Sequence, residues 1–136
     1  MRRESLDTNV ILRLMLRDIP DQFEAAKKLV HSPGKRFFVS DAALIELVYV
    51  LDRHYEFSRS QIVELLSGFM MLKEIDCNRE VMQVTLRYFS AHKSLSFTDC
   101  YLVAIAKTMN APPLWTFDKE LSKKLPEAKL LTGKKA

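Results

Sequence analysis

Apolar positions in this chain come in short runs, alternating with longer stretches where they recur at helical spacing. Residues 3–6 (RESL) predict a first strand that is short and unusually polar. Residues 10–16 (VILRLML) read as a helix, with a break at Pro20. Across residues 21–31, Phe23, Ala26, Leu29 and Val30 share one face of a second helix. Pro33-Gly34 marks a turn, and Phe37, Phe38 and Val39 a buried strand. Ser40 stands where an N-cap belongs for a helix from 41 to about 55, and Ser58 precedes a fourth helix from about 59 to 70. A third strand is expected over 72–76, and helices over 79–91 and 98–109, the second behind Thr98. After Pro112-Pro113 come a strand over 114–116, a short helix from 119 to about 124 and a last strand over 129–131. The order β-αα-β-αα-β-αα-β-α-β implies an α/β fold whose parallel sheet is covered by helices on both faces. Such sheets bind ligands at the carboxyl ends of their strands, which is where chemistry is to be sought.

Composition narrows the classes. A chain of 136 residues, 48% apolar, fits one domain over 1–136 with a core of its own. Cys77 and Cys100 stand far apart, and His31, His54 and His92 are scattered, so neither a disulfide scaffold nor a Cys/His zinc site is indicated. No apolar run reaches a membrane span, and no apolar segment follows the basic MRRES start, so a cytoplasmic protein away from the membrane is expected. The net charge of +4 is unevenly placed: residues 1–118 are balanced, and lysines 119, 123, 124, 129, 134 and 135 face only Glu120 and Glu127. A local basic patch suits a polyanion, although the end of the chain, from about 132, reads as a solvated basic tail.

Four carboxylates stand apart from the other acids. Asp7 follows the first strand and precedes an apolar helix; Glu46 is the one polar residue in the run 42–51; Asp99 opens the apolar stretch 100–106; Asp118 follows the strand 114–116. An unpaired carboxylate inside a buried helix is costly, so Glu46 needs a partner, such as Arg13, or a wet pocket. A parallel sheet could bring all four to one edge, where mutual repulsion is reversed by a divalent cation. Oxygen ligands point to Mg²⁺ or Mn²⁺, beside which water can attack a phosphodiester. Any one of the aspartates alone is better explained as a helix cap or first-turn acid; it is the set of four that points to a metal. Asn9 and Thr8 beside Asp7, Thr116 and Lys119 beside Asp118 are candidates for positioning carboxylates or substrate phosphate. Phe117 is open between core and base stacking, and Trp115 reads better as core.

These residues resemble a family. Leu6-Asp7-Thr8-Asn9-Val10, Val39-Ser40 with Glu46, Phe97-Thr98-Asp99-Cys100 through Ala106, and Thr116-Phe117-Asp118-Lys119-Glu120-Leu121 are similar, in order and spacing, to a PIN-domain ribonuclease of the VapC-like toxin type. The resemblance implies a three-layer α/β/α domain with a five-stranded parallel sheet and Mg²⁺- or Mn²⁺-dependent endoribonuclease activity. It carries the roles of catalytic and metal-binding residues to Asp7, Glu46, Asp99 and Asp118. It also implies a small antitoxin partner and a homodimer. The chain departs from the family in its polar first strand, in Cys100 where a small residue is common, and in Leu121 where Phe is common. The rival reading is a PIN-like binding module whose metal cluster is structural, without nuclease activity. A receiver domain or an aspartate-nucleophile phosphatase fits less well, because Asp7 has no second acid beside it and Asn9 stands two residues on.

Overall fold

The element order read from the hydrophobic pattern is the order found in a computed structural model, which describes residues 2–133. Lys134 and Lys135 of the expected basic tail lie outside the described residues. The chain divides into two compact units, one up to Asn78 and one from Arg79 onward. The first holds β1 (Arg2–Ser5), α1 (Thr8–Leu16), α2 (Pro20–Val30), β2 (Lys35–Phe38), α3 (Asp41–Arg53), α4 (Arg59–Met70) and β3 (Ile75–Asp76). The second holds α5 (Arg79–Ala91), α6 (Phe97–Thr108), β4 (Leu114–Thr116), α7 (Lys119–Lys124) and β5 (Ala128–Leu130).

All strand pairs are parallel, as alternation with helices requires, but the single five-stranded sheet is not formed. The ladders give a three-stranded sheet, β1-β2-β3, and a separate two-stranded sheet, β4-β5. The polar first strand supplies the reason. A central parallel strand is buried on both faces and needs an apolar run, whereas β1 reads Arg-Arg-Glu-Ser and lies at the edge of its sheet. Its register even sets Arg2 opposite Lys35 and Arg3 opposite Arg36. Like charges directly opposite repel. Glu4 offsets one pair, reaching Arg2 at 3.3 Å and Lys35 at 3.2 Å. Asp76 on β3 offsets the other through a two-pronged contact with the Arg36 guanidinium, Nε to Oδ2 at 3.0 Å and Nη2 to Oδ1. That contact raises the pKa of Arg36 above its ordinary value. The Arg3 guanidinium lies 5.0 Å over the Phe38 ring, and Phe37 is buried.

Helix starts follow the serines. Ser40 Oγ accepts from the Ala43 amide. Ser58 and Gln61 exchange side-chain bonds to each other's amides, a full capping box. Ahead of α6 the cap is Ser96 rather than Thr98, its Oγ accepting from the Asp99 amide, so the helix starts one residue earlier than expected. The run 42–51 does not make α3 apolar all round. Ala43, Leu44, Leu47, Val48 and Leu51 form one buried stripe, leaving Ala42, Glu46 and Tyr49 exposed. In the second unit α5 and α6 pack through Val81, Val84 and Ala104, flanked by Tyr88, Tyr101 and Ile105. Phe89 and Phe97 meet edge to face at 5.3 Å. Among the described residues, no helix is long and apolar enough to cross a membrane.

These assignments set a stability scale. Leu47→Ala, at a fully buried position, is expected to lower the unfolding free energy by about 2–5 kcal/mol. Ser58→Ala, which opens the capping box, is expected to cost about 1 kcal/mol. Denaturant midpoints at constant slope measure both; equal effects would contradict the placement of Leu47 in the core.

Candidate functional site

The first unit positions two of the four carboxylates. Asp7 leaves β1 by way of buried Leu6 and is the N-cap of α1, where its Oδ1 accepts from the Val10 amide at 3.2 Å. The next residue, Thr8, is buried, and its hydroxyl lies 3.1 Å from the Ala43 carbonyl oxygen and 3.2 Å from Glu46 Oε2. A hydroxyl has one proton to donate, so the two α3 acceptors share it. The first turn of α1 is thereby tied to the second turn of α3, and Thr8 orients Glu46 rather than Asp7. Glu46 is exposed, which removes the burial cost expected for it, and Arg13 is not its partner. Arg13 instead donates to Tyr55 Oη at 3.3 Å and Asp18 Oδ1 at 2.6 Å. Those bonds, the tyrosine first, raise its pKa above the ordinary value. Asn9 is exposed and lines a largely apolar groove between α1 and α2 with Val10, Arg13, Ala25 and Leu29.

The second unit positions the other two. Asp118 is the N-cap of α7, its Oδ1 accepting from the amides of Glu120 at 2.9 Å and Leu121 at 3.1 Å. Its own amide donates to Thr116 Oγ1 at 3.0 Å. Thr116 therefore fixes the backbone from which Asp118 projects, a positioning role from within the protein. Lys119, the first residue of α7, is exposed. Asp99 lies half-buried in the first turn of α6.

Trp115 is not core: it is 54% exposed, with Lys129 Nζ 5.2 Å from its ring centre. A cation on an exposed ring is worth about 0.5–1 kcal/mol. Phe117 is 70% exposed. Neither exposure was legible from the sequence, because an apolar residue in a three-residue strand carries no sign of which side is covered. The Thr8–Glu46 link was equally hidden, joining residues 38 apart.

Both aspartates thus act as caps, and both give their cap bonds through Oδ1. In each, Oδ2 takes no part in the cap bonds. The donors are carboxylate oxygens, the set that suits a hard divalent cation. Among the described residues, no group of three or more His, Cys, Asp or Glu side chains stands together as a metal-binding cluster. The structure brings Glu46 to the residue beside Asp7 through Thr8, and sets Asp99 and Asp118 in the first turn and at the cap of successive helices.

Comparison with known proteins adds the family. A search of curated proteins gives no match. Among solved structures, VapC20 of Mycobacterium tuberculosis, a toxin that cleaves the sarcin-ricin loop, is similar at 16% identity and a TM-score of 0.42, over 89% of this chain and 93% of that one. The family model for the PIN domain matches residues 5–124, a span that holds all four carboxylates. The chain belongs to the PIN domain family.

Proposed function

We propose that residues 1–136 act as one PIN-like domain, a divalent-metal-dependent endoribonuclease serving as the toxin of a toxin-antitoxin pair. The observation that carries the reading is the dual placement of Asp7 and Asp118. Each is fixed by amides of its own helix through Oδ1, with Oδ2 outside those bonds. The family match over residues 5–124 supports it. In this reading Asp7, Glu46, Asp99 and Asp118 are the catalytic carboxylates and hold Mg²⁺ or Mn²⁺. The cation, when bound, supplies activation of water and neutralisation of charge at a phosphodiester.

The chain's own residues do the rest. The α1 and α7 first-turn amides keep Asp7 and Asp118 in place without reorganisation. Thr8 holds Glu46, and Thr116 holds the Asp118 backbone. Asn9 and Lys119, both exposed beside a capping aspartate, are the positioning groups for substrate phosphate. The partners in this reading are an RNA substrate, a small antitoxin and a second copy of the chain, in the cytoplasm.

Asparagine caps a helix as well as aspartate does, so Asp→Asn at 7 and 118 separates capping from carboxylate chemistry. Asp7→Asn, Asp99→Asn and Asp118→Asn are each expected to keep the wild-type melting temperature within a few degrees and to lose RNA cleavage by 100-fold or more, about 2.7 kcal/mol of transition-state stabilisation. Cleavage is expected to vanish with EDTA and return with Mg²⁺ or Mn²⁺. Full activity in the Asn variants, or metal-independent cutting, would overturn the assignment.

Thr8→Val removes the hydroxyl that binds Glu46. It is expected to lower stability by about 1–2 kcal/mol and to reduce cleavage, while Thr8→Ser keeps both. Unfolding curves and initial rates on the three proteins measure this; a Val variant as active as wild type would leave Thr8 no positioning role.

A further inference from the structure

One side of the β4–β5 sheet is open. Its register sets Trp115 opposite Lys129, and strand alternation sends Leu114, Thr116, Ala128 and Leu130 to the other side. That other side is half-buried or buried, with α6 and α7 packed on the strands. On the open side Trp115 is 54% exposed; Phe117, in the bend that follows β4, is 70% exposed, and Leu131, paired by its amide to the Thr116 carbonyl at 2.7 Å, is 45% exposed. Trp115 and Phe117 are thus two exposed rings within three residues of Asp118, and Lys129 on the neighbouring strand faces the first of them.

We propose that Trp115 and Phe117 are base-stacking residues for single-stranded RNA, with Lys129 beside them as a phosphate contact. Exposed rings can receive unpaired bases, whereas the bases of a duplex are already stacked on one another, so the fitting occupant is a single strand. Stacking on aromatic rings is sequence-tolerant and works with a cation that follows the backbone. Lys129 already rests on Trp115. An exposed cation–ring contact is weaker than a stacked base, so a base displaces the ammonium from the ring and leaves it next to the phosphates. Charge favours the same occupant: the whole positive excess of the chain lies in residues 119–136, which include Lys129 and Lys119.

This inference rests on the ribonuclease reading and adds where the substrate's bases lie. Trp115 is the chain's one tryptophan, so intrinsic fluorescence reports on this position alone. The test titrates full-length protein carrying Asp99→Asn with a short oligouridylate, and with an RNA duplex of equal length, at low and high salt. A saturable quench by the single strand, weaker for the duplex and at high salt, is the expected result. Phe117→Ala in the same background is expected to weaken binding about tenfold, and Lys129→Gln to weaken it less. In the cleaving protein Trp115→Phe and Trp115→Ala are expected to raise KM more than they lower kcat, the alanine more strongly.

Binding of a labelled oligouridylate, seen by anisotropy, with unchanged Trp115 emission overturns the stacking proposal and leaves the ribonuclease reading intact. A concentration-dependent emission shift without RNA, with a dimer in sedimentation, overturns it in favour of a second copy on this face. Failure of the wild-type protein to bind or cut any RNA overturns both.

Discussion

A helix start needs acceptors for amides that have no partner within the helix, and in this chain that need decides where chemistry can sit. Ser40, Ser58 and Ser96 meet it with hydroxyls; Asp7 and Asp118 meet it with carboxylates. A carboxylate held by backbone amides has lost its rotamer freedom before any ligand arrives. It also carries negative charge at the positive end of a helix, where such charge is stabilised. Capping and ligand binding are therefore not rival explanations of Asp7 and Asp118, as they look from the sequence alone. One oxygen serves the fold, and the geometry leaves the other outside it.

The same economy governs the polar first strand. Arg2, Arg3 and Glu4 cannot fill a doubly buried strand, and the structure gives β1 an edge of the three-stranded sheet. What holds the edge is a set of charges in which Glu4 bridges Arg2 and Lys35 and Asp76 neutralises Arg36, the cations that the register sets opposite one another or opposite Arg3. Exposed ion pairs contribute little individually. Here their role is to make an otherwise repulsive register tolerable, while Phe37 supplies the burial.

Element order, and nearly every boundary to within two residues, were legible in the sequence, because prolines, serine caps and apolar spacing are local signals. Ser40 and Ser58 cap the helices assigned to them. Sheet composition was not legible: which strands share a ladder depends on faces meeting at long range, and a three-residue strand such as Leu114–Thr116 carries too little pattern to choose a neighbour. Among the site residues, Asp7 and Asp118 stood out because strand-to-helix turns are visible in sequence. The exposure of Glu46 was missed because an apolar run was read as all-round burial, whereas its small and aromatic members, Ala42 and Tyr49, lie on the solvent side. The Thr8 hydroxyl, shared between Ala43 and Glu46, has no sequence signature.

Every ladder in the structure joins strands that are consecutive in the chain, β1 to β2, β2 to β3 and β4 to β5, and α1 packs on α2 as α5 packs on α6. Each of these strands meets its ladder partner across no more than two helices. Pairing consecutive strands keeps the loops that must close as short as parallel strands allow, which favours folding rate. The β1-β2-β3 ladder draws only on residues up to Asp76, so it can form once that stretch has emerged from the ribosome. The ladder that bears Asp7 at its edge is thus one that the nascent chain can complete by itself.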